Sequence, residues 1–107
     1  MEKLKLVCII VDRDKLDRVE ETVRKNGASF CHIFYGKGTA KNDLLNVLGL
    51  GETEKGLIFA TVDEDKLQRI YSALKIEYDF DKPGAGISFA VPLTSVGGPA
   101  SLKILQM

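Results

Sequence analysis

The chain repeats itself once, and that repeat limits its architecture more than any local propensity does. Val11-Asp12-Arg13-Asp14-Lys15-Leu16-Asp17-Arg18-Val19 returns 51 positions later as Val62-Asp63-Glu64-Asp65-Lys66-Leu67-Gln68-Arg69-Ile70, with six of the nine positions identical. Two copies are too few for a solenoid but sufficient for a duplicated half-domain. Each copy joins an apolar, β-branched strand pattern (residues 3–11 and 56–62) to a helical one: Leu16, Val19 and Val23 in the first, Leu67, Ile70, Tyr71 and Leu74 in the second. Asp12 or Asp14, and Asp63 or Asp65, are the candidate N-caps, and Asn26-Gly27 ends the first helix with a residue free to turn left-handed. Asp14 with Arg18, Glu20 with Arg24 and Glu21 with Lys25 stand at i,i+4 and mark the outer face of that helix as solvated. A further strand follows each helix: residues 28–35, with Phe30, His32 and Phe34 on one face, and residues 86–93, with Ile87, Phe89, Val91 and Leu93 on one face.

The order β-α-β-β-α-β predicts an α+β, ferredoxin-like sandwich, a four-stranded antiparallel sheet with two helices on one face. The 107 residues suit a single domain, 1–107. Leu4, Leu6, Cys8 and Ile10 of the first strand face away from Val7, Ile9 and Val11, and no third helix is encoded to cover them. An apolar sheet face is therefore left for oligomerisation, and residues 101–107, with Leu102, Ile104 and Leu105, offer a short extra strand there.

Charge and chemistry narrow the function. Fifteen Lys and Arg balance fifteen Asp and Glu, which removes the electrostatic pull of a nucleic-acid binder. The apolar run from Leu6 to Val11 is too short for a signal core or a membrane span, so a cytoplasmic protein without membrane insertion is expected. Cys8 and Cys31 read as reduced, buried, small hydrophobes on different strands. His32 is the sole histidine, and its neighbour Cys31 points to the opposite strand face, so the two make neither a nucleophile pair nor a chelate. Glu77, Asp79 and Asp81 alternate with Ile76, Tyr78 and Phe80 and read as the solvent side of an extended segment. No catalytic residue, metal site or required cofactor is expected.

What breaks the symmetry is the insertion 36–55, far longer than the roughly 2 to 5 residues of a simple hairpin connection. It opens Gly36-Lys37-Gly38-Thr39-Ala40-Lys41, passes Leu44, Leu45 and Leu48 at helical spacing, and closes Gly49-Leu50-Gly51-Glu52-Thr53-Glu54-Lys55. Its glycines let backbone amides converge on an anion and its lysines add charge, although on the motif alone a flexible connector with a hydrophobic plug is the simpler reading. A second glycine turn, Lys82-Pro83-Gly84-Ala85-Gly86, precedes the last strand.

On Gly36-x-Gly38-x-x-Lys41 and Gly84-x-Gly86-x-x-Phe89, with weaker similarity along nearly the whole chain, the sequence resembles the nitrogen regulatory P-II family, and most of all a short-loop P-II-like branch. That resemblance implies a trimeric signal-transduction protein, an enzyme regulator that is not itself an enzyme. It implies an adenine nucleotide (AMP, ADP or ATP) as effector, held between subunits by Gly36, Lys37, Gly38, Thr39 and Lys41 of one and Gly84, Ala85, Gly86 and Ile87 of the next. The insertion 36–55 is then the signalling loop, with Leu44, Leu45 and Leu48 toward a regulated protein. Ala85 and Ile87 stand where the family carries an acidic residue and a lysine, which favours a less charged ligand than ATP. The insertion has no tyrosine, so uridylylation is not implied. Two other readings stay open: a metal-tolerance or small-molecule-sensing oligomer on the same fold, and a trimer that binds protein independently of nucleotide.

Overall fold

In the computed structural model, which describes residues 4–36, 55–94 and 97, the duplication is realised element by element. Strands β1 (Leu4–Asp12) and β3 (Lys55–Asp63) are nine residues each and pair antiparallel over their full length at the centre of the sheet. Each leads through a 3-10 turn, Arg13–Lys15 or Glu64–Lys66, into a helix, α1 (Leu16–Lys25) or α2 (Leu67–Tyr78). β2 (Cys31–Gly36) flanks β3 and β4 (Gly86–Pro92) flanks β1, giving the order β2-β3-β1-β4. The expected ferredoxin-like layout is the observed one. Cys8 faces Phe59 across the central ladder, and these two positions are themselves one repeat offset apart. A pseudo-two-fold axis therefore passes between them and exchanges the halves.

Alternation along the central strands sends Val7, Ile9 and Val11 of β1, with Ile58, Ala60 and Val62 of β3, to one face. There they meet Leu16, Val19 and Val23 of α1 and Ile70 and Leu74 of α2, every one of them at most 1% exposed. Each such side chain contributes about 1.5–3 kcal/mol on burial, which makes this layer the main source of stability. The Thr22 and Tyr78 hydroxyls, 3.0 Å apart, tie the two helices together.

Several local expectations need correction. Asp12 and Asp63 precede the 3-10 turns, but neither makes a side-chain capping bond, and the positions just before the α-helices are Lys15 and Lys66. Glu20–Arg24 (3.0 Å) and Glu21–Lys25 (3.2 Å) form as i,i+4 pairs, whereas Asp14 lies in the 3-10 turn, outside the helical geometry that would bring it to Arg18. The acidic stretch is not extended: Ile76, Glu77 and Tyr78 complete α2, and Asp79 is its left-handed cap with φ 55°. Tyr78 is drawn inward to the core, which carries the helix on and leaves Ile76 on the solvent side, 79% exposed. Cys31 is only partly buried, unlike Cys8. The regular part of β2 begins at Cys31, though the Ser29 amide already donates to the Thr61 carbonyl (2.8 Å) and the Thr61 amide to the Phe30 carbonyl (3.0 Å).

Candidate functional site

Both glycine segments come to the same end of the sheet. Gly36 closes β2 opposite Lys55, Lys55 lies opposite Asp12 at the end of β1, and Gly86 opens β4 opposite Val11. Because β2 and β4 are the two edges, Gly36 and Gly86 are three inter-strand spacings apart, about 14 Å. Of the sequence-derived candidates, Gly36, Gly84, Ala85, Gly86 and Ile87 are placed in this way; Lys37, Gly38, Thr39 and Lys41, and with them Leu44, Leu45 and Leu48, lie outside the described residues.

The turn before β4 is built from consecutive tight bends. The Lys82 amide donates to the Asp79 carbonyl (2.8 Å) and the Ala85 amide to the Lys82 carbonyl (3.1 Å). Gly84 takes φ 82°, a left-handed conformation that suits glycine. The Ala85 amide is thus consumed inside the turn, while the Gly84 amide has no partner among the described residues. Gly86, at φ 159°, has a second reason to be glycine: the Phe80 ring lies against it, and an added Cβ would sit 2.6 Å from Phe80 Cζ. Ile87 pairs with Ile10 on the helix-free face of the sheet.

The electrostatics of this end are nearly neutral. Lys55, buried at 7% exposure, is ion-paired to Asp12, Lys75 to Asp81 (3.4 Å) and Lys82 to Asp79 (3.8 Å). The Lys55–Asp12 pair sits directly under the insertion, at the last rung before residue 37. Sequence reading missed it, although the repeat held the signal: the counterpart of Lys55 in the first half is Leu4, so one half carries a buried lysine where the other carries a buried leucine.

Fold and site can now be set beside known proteins. No protein-family model matches the sequence, and neither does any curated protein. Among solved structures, a PII-like signaling protein from Thermus thermophilus superposes with a TM-score of 0.63 at 26% identity, over 84% of this chain and 85% of that one. The fold is P-II-like. CPII from Thiomonas intermedia, solved with ADP, AMP and acetate, has the same fold at a TM-score of 0.66 and 16% identity, over 91% of both chains. A Bacillus cereus protein related to NIF3 matches at a TM-score of 0.65 and 16% identity, over 88% of this chain but only 26% of its own, so the same fold also occurs as a module of a larger chain.

The helix-free face of this P-II-like chain is apolar across all four strands: Cys8 and Ile10 on β1, Leu57 and Phe59 on β3, Ile87, Phe89 and Val91 on β4, and His32 and Phe34 on β2. Exposure concentrates at the edges, where Phe34, Phe89 and Val91 are between 42% and 46% exposed, while the central Cys8 and Ile10 are buried. His32 is sandwiched in an aromatic row, 4.6 Å from Phe34, which in turn meets Phe59 edge-on at 5.2 Å. Cys31 points the other way, toward α1, where burial raises its thiol pKa above the ordinary value, Arg24 partly offsets that and Glu20 adds to it. Burial raises the Cys8 thiol as well. Among the described residues no group of His, Cys, Asp and Glu is disposed to hold a metal ion, and no helix is long and apolar enough to cross a membrane.

Proposed function

We propose that this protein is a P-II-like regulator: a non-enzymatic cytoplasmic homotrimer that senses an adenine nucleotide in clefts between subunits and reports its occupancy to a partner protein through residues 36–55. The observation that carries this reading is the placement of Gly36 and Gly84–Gly86 at one end of the sheet but on opposite edges, too far apart for one small ligand within a chain. A closed ring sets one edge of each subunit toward the other edge of the next and brings the two segments together. The ADP and AMP held by CPII support the choice of nucleotide, and the apolar helix-free face supports assembly.

Charge selects within the nucleotides. ATP brings roughly three to four negative charges, and with Lys55, Lys75 and Lys82 already matched by aspartates the counter-charges left to this reading are Lys37 and Lys41. AMP or ADP then binds at least as well as ATP, and Lys41→Ala loses about 1.5–3 kcal/mol of binding. Sedimentation velocity at micromolar concentration together with calorimetry against AMP, ADP and ATP tests the proposal. A trimer with heat for AMP and ADP is expected; a stable monomer, or no heat with any adenine nucleotide, refutes it. The neutralised lysines favour one second reading, a protein-binding trimer indifferent to nucleotide, whose mark is a partner pull-down unchanged by added ADP.

A further inference from the structure

One rung crosses the whole sheet at mid-height on its helix-free face: His32 of β2 lies opposite Phe59 of β3, Phe59 opposite Cys8 of β1, and Cys8 opposite Phe89 of β4. Both ends of that rung are open in the single chain, where His32 is exposed and Phe89 is 46% exposed. A ring joins them. β2 is antiparallel to β3, β3 to β1 and β1 to β4, so the two edges run in opposite senses and can lie side by side around an axis along the strands. His32 stands four residues back from Gly36 along β2, and Phe89 four residues on from Ala85. The contact that unites the glycine segments therefore sets His32 of one subunit at the height of Phe89 of the next.

We infer that His32 makes assembly of the ring sensitive to pH: three imidazoles, one per subunit, are enclosed neutral among aromatic rings when the helix-free faces close on one another, and their protonation opens the ring. The inference rests on the trimeric reading and adds its regulation. In the single chain His32 already lies 4.6 Å from Phe34 and 6.4 Å from Phe30, centroid to centroid. β3 presents Leu57, Phe59 and Thr61 to it, and β4 of the next subunit presents Ile87, Phe89 and Val91, none of them charged. The Cys8 thiol is raised by burial above the ordinary 9.0 and stays neutral through this range. Glu20 and Arg24 belong to α1, on the opposite face of the sheet. Among the described residues the charged groups on the helix-free face are Asp12, ion-paired to Lys55, and Asp63. Lys55 and Asp63 each stand four positions from Phe59 along β3, about 13 Å away. No described carboxylate is thus placed to pair with an imidazolium there, and an aromatic face returns only part of what it costs to take an unpaired cation out of water. Separate subunits leave His32 in water and so bind protons more readily than the ring does. Histidine ordinarily changes charge near about pH 6.5, so the ring is favoured above that value and weakens as the pH falls below it.

Sedimentation of the full chain at constant ionic strength, at about pH 7.5 and about pH 5.5, tests it, with circular dichroism to show that the subunit stays folded. The wild-type association constant should fall by about tenfold for each histidine, up to about a thousandfold for three, whereas that of His32→Phe, which keeps an aromatic ring and loses the proton site, should change by less than about threefold. A wild-type constant that does not fall, or one that falls equally in His32→Phe, overturns the inference and leaves the trimer standing. A monomer at both pH values overturns the trimeric reading, and this inference with it. A second measurement needs no variant. His32 is the sole histidine, so dilution of the wild type at about pH 6.5 into two buffers of unlike ionisation enthalpy should give heats that differ by the protons taken up on dissociation; equal heats overturn the inference.

Discussion

Gly86→Ala separates two reasons for a glycine in the candidate site. An ideal Cβ at this position lies 2.6, 2.8 and 3.0 Å from Cζ, Cε1 and Cε2 of Phe80, where ordinary contact begins at 3.4 Å. The ring would have to retreat by up to about 0.8 Å, and it is packed against the core rather than free in solvent. Overpacking of this kind costs about 1–3 kcal/mol. For a domain near this size each kcal/mol lowers the unfolding temperature by about 4–8 °C, so the variant should melt several degrees early. Alanine keeps the backbone N–H, so if the glycine served only to offer an amide to an anion, stability would not change. Urea unfolding followed by circular dichroism measures the loss, and the same substitution in a Phe80→Leu background removes the opposing ring edge. The penalty there should shrink without vanishing, since the two changes are coupled through one contact while φ 159° at this position strains a side chain whatever the space. An equal penalty in both backgrounds, or none in wild type, would refute the ring-seat explanation.

Three further outcomes are expected. Asp12→Asn strands the buried Lys55 ammonium and should cost about 3 kcal/mol in urea unfolding, the lower part of the range for broken buried pairs because Asp12 is 33% exposed, whereas Lys55→Met, which removes the charge and keeps the stem, should cost far less. Replacing residues 37–54 by Asn-Gly should leave the circular dichroism spectrum and cooperative unfolding intact, because Gly36 and Lys55 already face each other as a ladder pair that a two-residue turn can close; loss of folding would make the insertion structural. Cys8, Cys31 and Tyr71 all have folded-state pKa values raised by burial, so the unfolded chain ionises first and stability must fall as pH rises above the ordinary values, 9.0 for the thiols and 10.0 for the phenol, with no pH dependence from these groups well below them. Thermal midpoints across that range in wild type and in Cys8→Ala/Cys31→Ala should show a shallower alkaline decline in the variant.

Much of the fold was legible because the duplication doubled every signal: the strand and helix patterns of one half vouched for those of the other, and β1 and β3 keep the offset of the repeat at both ends. Local chemistry was legible only where it depended on sequence neighbours. The i,i+4 pairs of α1 and the left-handed Gly27 (φ 114°) are of that kind. The capping role given to Asp12 failed because a residue from β3 claims that carboxylate, a contact 43 positions away. The acidic stretch deceived because Ile76, Tyr78 and Phe80 mimic strand alternation, while the deciding interaction, the Tyr78 hydroxyl on Thr22, spans 56 positions. In the candidate site the glycines of the second turn were visible in the sequence. The Phe80 ring that explains Gly86, and the Asp12 carboxylate that occupies Lys55, were not, since each partnership is made by the way the chain folds back, the first through the turn before β4 and the second across 43 positions.

The axis between Cys8 and Phe59 makes the two edges of the sheet answer to one another, strand for strand, so that backbone geometry alone does not tell left from right. Two such edges can meet like with like, closing a pair of molecules face to face, or like with unlike, which continues around a circle until it returns to its start. The segment between residues 36 and 55 is spliced into one half only, and it marks one edge as different. That splice gives the molecule a direction: each joint in a circle would carry one bearer of the segment and one receiver, never two of a kind, and every molecule would be speaker to one neighbour and listener to the other.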